Sequence, residues 1–532
     1  MLKKTLTYLL LIFHVTTYAQ FKIVGQTEQF EEPGNGYGKF LILQNGNTVF
    51  CNVIDEKLNL RIFSPNHKQI KNFYPAPEAF NHKGAFIKAI FESNNDIVLM
   101  VIRSERKTPV LTRVIIDSGN GRIKEEKELA RLETERFMYK PFFIALGYVQ
   151  FFHVSKDPHN NQYAVVLLRS KSKNINDHIE CIWFAEDHRE ITRATFTVNE
   201  EGFDFIKFID LNVIDDQQLT IVAMGVKGGK KQSRQLMLGV LKKDQHTFKT
   251  VSLDLIKASE LNIDKDVQVQ SGLLKFNPAT NKLILLTTFW DNRNEGYIPL
   301  ISYLNVATTH VEFTGLVLPE AAISATQKFF GEKMPFSSLP LDIHIADDGR
   351  FTVIMEEMTY TRNNDGIVDT FLKNIAVVYF DMLGGMRSSY LIPKSQSVPG
   401  ENLGSYYMGR QKMESSLFLG GNQFKRAIYL DGKFGTYIMF NDVERNAENY
   451  KKGKITMIVG VQESDAYSYR IEGTEPVPSR VPIFGLPKEK DHHFLGCFPI
   501  AAYNKKTNEL VMLRLEIDGR RKNMQIVWLE PN

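Results

Sequence analysis

LDIHIADDGRFTVIME, residues 341–356, is the stretch on which the fold turns. An apolar run reaches Ala346, four turn-forming residues (Asp347, Asp348, Gly349 and Arg350) follow, and a second apolar run ends on the adjacent Glu356 and Glu357. Asp and Gly tolerate positive φ, and Asp can bond its own backbone, so this is the chemistry of a β-hairpin. The same plan recurs along the chain. It is seen in KFLILQNGNTVFCNV (39–53), FIKAIFESNNDIVLMVI (86–102) and YVQFFHVSKDPHNNQYAVVLL (148–168). It returns in FIKFIDLNVIDDQQLTIVAM (205–224), LLKFNPATNKLILLTT (273–288), RAIYLDGKFGTYIMF (426–440) and PIAAYNKKTNELVMLRL (499–515). A third strand is expected after each hairpin, among them NLRIFS (59–64), KITMIVGV (454–461) and NMQIVWLE (523–530). The hairpins lie about 50 to 85 residues apart, a long repeat that leaves room for loops.

Radial repetition of small antiparallel sheets implies an all-β chain folded as a β-propeller of seven or eight blades. The last unit has no fourth strand of its own, whereas FKIVGQ (21–26) has no hairpin partner near it. Donating that N-terminal strand to the last blade closes the ring and hides both edges. Two all-β domains in tandem are the competing arrangement. Helical patterns are short, the best being EEKELARLETER (125–136) and PEAAISATQKFF (319–330).

Residues 1–19 have the plan of a signal peptide: Lys3 and Lys4, an apolar stretch from Leu6 to Val15, then Thr17 and Ala19 before a cut at Gln20. That stretch is shorter than the ~20 residues of a membrane span, and nothing later is apolar enough to serve as one. A single propeller domain over residues 20–532, periplasmic or secreted, is therefore expected. The full chain carries a net charge of +4, and loss of Lys3 and Lys4 leaves it near neutral, with no electrostatic footprint for nucleic acid. Its three cysteines, Cys51, Cys181 and Cys497, imply at least one free thiol or a link to another chain, with a Cys51–Cys497 disulfide one arrangement.

Established catalytic signatures are missing: no G-x-S-x-G, no H-E-x-x-H, and only a broken calcium loop in TRNNDGIVDTFL (361–372), where Thr361 and Leu372 replace the end ligands. DHHFLGC (491–497) gathers metal-binding residue types at a spacing that matches no standard site, and reads as a loop packed on a blade. No metal site and no cofactor are assigned. His153 and His344 fall on first strands, which line a propeller's central channel. Glu356, Lys394, Gln396, Asp442 and His344 are the candidate binding residues, polar groups on or just beyond apolar strands of neighbouring units.

The leader ending in YAQ and the train of Asn/Asp/Gly hairpins, such as LILQNGNTVF (41–50) and IADDGRFTVI (345–354), resemble uncharacterised exported β-propeller-like proteins of Bacteroidetes. The resemblance implies an architecture and a compartment, and no reaction. The function expected is a non-enzymatic binding or scaffold module of the cell envelope, with an envelope protein or glycan as partner. The alternative is a polysaccharide hydrolase or lyase with its site over the channel, Glu356 pairing with a carboxylate such as Asp342 or Asp442.

Overall fold

A computed structural model describes residues 21–532 apart from 34–35, 55–56, 83, 107, 133–150, 170–171, 199–201, 229–232, 256–267, 292–295, 332–336, 363–365, 411, 419, 486–488 and 490. The leader-like segment therefore lies outside the described residues, as do most of the tip of the broken calcium loop and the end of EEKELARLETER.

Eight antiparallel sheets, the blades, follow one another along the chain. Their first strands are Gly36–Ile42, Phe86–Ser93, Phe152–Lys156, Phe205–Ile214, Gln268–Asn277, Leu339–Ile345, Ile428–Gly432 and His492–Asn504. Each later strand pairs with the one before it, so a blade runs outward from the channel to the rim. Phe21–Gln26 pairs with Arg521–Pro531 as the outermost strand of blade 8, with Phe21 opposite Pro531 and Gln26 opposite Val527. The ring is thus closed by its own N-terminus. Phe21 is buried there, its ring 5.0 Å from that of Tyr437 in blade 7.

The strands are apolar on both faces because each blade has a neighbour on both sides. Gln218–Lys227 is buried at every residue but the last. Eight core clusters result, one in each wedge between successive blades. Asn94 and Asn95 take positive φ at the blade 2 hairpin, as does Gly349 at the hairpin of residues 341–356, where only such residues turn without strain.

Several expectations need correction. KITMIVGV is not the third strand of blade 7, a place taken by Asp465–Arg470. Residues 454–461 instead lie against blade 6, with the Ile458 and Ser397 amides donating to Ser395 O and Ile458 O, and Met457 and Val459 facing solvent. Blade 7 follows its second strand with a helical turn, and strand propensity without an open edge to pair with decides nothing. EEKELARLETER is not helical where it is described: Ile123–Arg131 is the fourth strand of blade 2. PEAAISATQKFF does form a helix, Glu320–Phe330, ended by Gly331 at φ 66°. The strand carrying Glu356 and Glu357 does not run out there but continues to Arg362 past a bulge. DHHFLGC is mostly strand, not loop: His492 pairs with Glu516 at 2.8 Å and His493 with Asp465 at 3.1 Å. Cys51, Cys181 and Cys497 are all free, each buried in a wedge.

Candidate functional site

The connection from blade 6 to blade 7 does not stay on the rim. Residues 399–427 turn inward and cross the channel. The Tyr406 amide donates to Pro340 O in blade 6, and its hydroxyl lies 2.8 Å from Thr288 Oγ1 in blade 5. Arg410 donates to Ser271 Oγ and Gly272 O in blade 5. Met413 O accepts from Ile90 N in blade 2, and Glu414 meets Lys88 at 2.5 Å. Ser416–Phe418 then adds a short strand to the inner edge of blade 1. Tyr406 holds φ at 67°, a conformation that a tyrosine keeps only when its surroundings impose it.

The crossing forms the floor of a cavity of about 440 Å³ at the channel mouth, walled by the first strands of blades 3 to 6. Five of the eight first strands shift register against the second strand: Ile87/Ala89, Phe208/Asp210, Val269/Ser271, Pro340/Asp342 and Cys497/Ala502. Bulges re-aim side chains, and two of these are followed directly by an aspartate. Asp210 accepts from the amides of Leu211 at 2.9 Å and Leu274 at 2.7 Å, tying blade 4 to blade 5. Asp342 accepts from Ile343 N with one oxygen, while the other faces His344 Nε2 at 3.1 Å and Lys412 Nζ at 2.9 Å.

Burial raises the Asp342 carboxyl, but Lys412 and His344 outweigh it and hold the group below the usual carboxylate range. Burial pushes His344 down to about 4 against the pull of Asp342, with Lys412 and Lys275 adding to the fall. His153 is pushed down to about 3 by burial and by the cations Lys88, Arg410 and Lys275. Both imidazoles are neutral at neutral pH, and with Asp342 beside Nε2 the His344 proton belongs on that nitrogen. Lys275 is lowered by burial and by Lys412, with Asp342 and Asp210 pulling the other way. Among the described residues its ammonium has neither a hydrogen bond nor an ion pair.

A second cavity of about 430 Å³ adjoins the first and shares His344, Ala346 and Asp431 with it. It runs radially between blades 6 and 7, with Phe351, Tyr379, Tyr390 and Tyr429 in its walls. The Tyr390 and Tyr429 hydroxyls are already bonded, to Gly473 O and Thr352 Oγ1, which leaves their rings as wall.

The candidate residues divide. Glu356 and Lys394 meet at 2.5 Å with both side chains fully buried, and the Tyr407 hydroxyl of the crossing donates to the second Glu356 oxygen at 2.9 Å. Burial pushes Glu356 up and Lys394 down, each offset by the other. Gln396 is buried and donates to Asn441 O at 2.7 Å. Asp442 is buried against Arg480 at 2.5 Å, with Asn446 and the Val443 amide as further donors. These four sit in and beside the wedge between blades 6 and 7, whereas His344 stands at the channel mouth. Lys275, Arg410 and Lys412 were not singled out from the sequence. Their signals are weak: a lysine within the apolar first strand LLKF, and an inter-hairpin gap long enough for a crossing. Among the described residues, no three His, Cys, Asp or Glu side chains are placed to hold a metal ion, and no helix is long and apolar enough to cross a membrane.

No protein-family model and no curated protein matches the chain. Solved structures similar to it include the Dos1 propeller, at 10% identity over 95% of each chain with a TM-score of 0.38. The polysaccharide lyase Uly1 is similar at 11% identity over 84% of this chain and 90% of its own, with a TM-score of 0.36. A protein of unknown function from Dyadobacter fermentans is similar at 7% identity over 96% and 100% of the two chains, with a TM-score of 0.31.

Proposed function

We propose that the chain is an exported, non-enzymatic binding propeller of the cell envelope that takes its ligand into the cavity at the channel mouth. The observation that supports this most is the crossing segment, which converts an open channel into a floored pocket of a size that holds a small ligand or the end of a larger one, within ~300–1,000 Å³. The carboxylates also favour binding over chemistry. Asp210 is occupied by two backbone amides, Asp342 by Lys412 and His344, and Glu356 by Lys394 and Tyr407. Glycoside cleavage needs two carboxyl groups free to flank one bond. Export rests on the leader-like plan of residues 1–19, and an envelope glycan or protein is the partner class.

The test is capture from native envelope by the tagged, crosslinked mature chain, beside Ala346→Trp, which places an indole where the two cavities meet. Wild type is expected to retain a ligand that Ala346→Trp loses at unchanged unfolding temperature, with no shortened glycan released. Equal capture by both removes the channel mouth as the site. Release of cleaved or unsaturated sugar removes the non-enzymatic half of the reading and leaves the polysaccharide hydrolase or lyase in its place.

A further inference from the structure

Resting on that reading, we infer that the ligand is an acidic oligosaccharide, a uronate carboxylate meeting Lys275 and Arg410 in the channel cavity and the following rings lying along the groove between blades 6 and 7. The first support is unmatched charge. Lys275 makes no hydrogen bond or ion pair among the described residues, Asp342 and Asp210 pulling on it only from beyond contact, and Arg410 bonds only neutral oxygens: Ser271 Oγ at 3.0 Å, Gly272 O at 2.9 Å and Ser405 O at 3.3 Å. An ammonium held in a cavity without a direct partner costs stability, and a bound carboxylate offsets that cost. Of the acidic groups of the same cavity, Asp157 caps its own turn and the Asp215 amide, Asp210 holds two amides and Asp347 pairs with Lys505, while burial raises Asp431, where the two cavities join, against the pull of Lys505. Burial is the main cause of the lowered proton affinities of His153 and His344, and Lys275 adds to both.

The second support is shape. A lone phosphate or acetate would need only the channel cavity. The adjoining groove continues it for about 430 Å³ and offers the rings of Tyr379, Tyr390 and Tyr429, with Arg350 and Arg387 at its edge already paired to Asp348 and Asp381. Sugar rings present C–H faces that pack on aromatic rings and hydroxyls that bond at their edges. An extended peptide would look for an unpaired strand edge, and this groove is walled by side chains. Length, aromatic walls and a cationic end together describe a short acidic glycan.

The experiment is titration calorimetry of the whole mature chain with tetrasaccharides of galacturonate, mannuronate and hyaluronan, each beside its carboxyl methyl ester. At least one acid is expected to bind tenfold or more tighter than its ester, and to weaken as salt is raised. Lys275→Met is expected to cost a further tenfold or more, Lys275→Arg to restore most of it, and Tyr379→Ala to cost several-fold. Unfolding curves of each variant establish that it is folded. Equal binding of acid and ester, or full affinity in Lys275→Met, overturns the acidic class while leaving the channel site standing. If none of the sugars binds, and the wild type instead captures an envelope protein equally well with Ala346→Trp, the inference and the channel-mouth reading both fall.

Discussion

The wedge between blades 6 and 7 and the mouth of the channel use the same kinds of side chain, and they part on whether the charges are matched. In the wedge, Lys394 has Glu356, Glu356 has Tyr407, and none of the lysine or glutamate side chain meets solvent. At the mouth, Lys275 has no direct partner among the described residues and feels Asp342 and Asp210 only from beyond contact, Arg410 bonds only neutral oxygens, and both line a cavity. A matched and sealed pair orders the fold, and removing half of it strands a buried charge. A cation without a direct partner, facing open volume, is free to meet a charge from outside the chain.

That contrast breaks first in the wedge. Lys394→Met is expected to cost roughly 3–5 kcal/mol in chemical denaturation, because Glu356 is left buried without a counter-charge, with only the Tyr407 hydroxyl on it. The double variant Glu356→Leu with Lys394→Met should recover most of the loss. A double variant as unstable as the single would mean that packing, and not charge, is what the pair supplies. Phe21→Ala, far from both regions, sets a scale: truncating the buried ring of the closing strand should cost about 3 kcal/mol. A much smaller loss would mean that the ring does not depend on its N-terminal closure.

Acid sharpens the comparison at the mouth. His344 sits between Asp342, Lys412 and Lys275, and its folded value of about 4 lies below the ordinary 6.5. Between those values the unfolded chain binds more protons, so the stability is present above the upper value and lost as pH falls toward the lower. The slope is ~1.4 kcal/mol per pH unit at most. His344→Asn should therefore flatten the loss of stability between pH 6.5 and 4 relative to wild type. Parallel curves would place the acid sensitivity elsewhere. The smallest effect on stability belongs to Lys275→Met: a change within ~1 kcal/mol, since a cation without a direct partner is withdrawn from the cavity wall while its distant attraction to Asp342 and Asp210 is lost. A loss on the scale of Lys394→Met would show that Lys275 is structural after all.

How much of this could be read beforehand depended on the range of the interaction. The hairpins were legible because Asn, Asp and Gly at turns act within four residues, as at Asn94, Asn95 and Gly349. Closure was legible because a strand without a partner at one end and a blade lacking its fourth strand at the other complement each other. KITMIVGV misled because its composition is that of a strand while its place along the chain offers no edge to pair with. EEKELARLETER misled in the opposite sense, its alternating charges suiting a solvated outer strand as well as a helix face. Of the candidate residues, the meeting of Glu356 with Lys394 was within reach, since both lie in one unit. The role of Tyr407, which arrives from the crossing, was not.

The sequence by itself determined the repeat, the strand-turn chemistry, the all-β class and the partner of the N-terminal strand. Each of these follows from local propensity or from the need to cover an edge. Only the tertiary structure decided that there are eight blades, that residues 399–427 leave the rim to cross the channel, and that Lys275, Arg410, His344 and Lys412 share one cavity. The reason is geometric. Those four residues come from two first strands and a connection, and what gathers them is the curvature of the closed ring, which no spacing along the chain records.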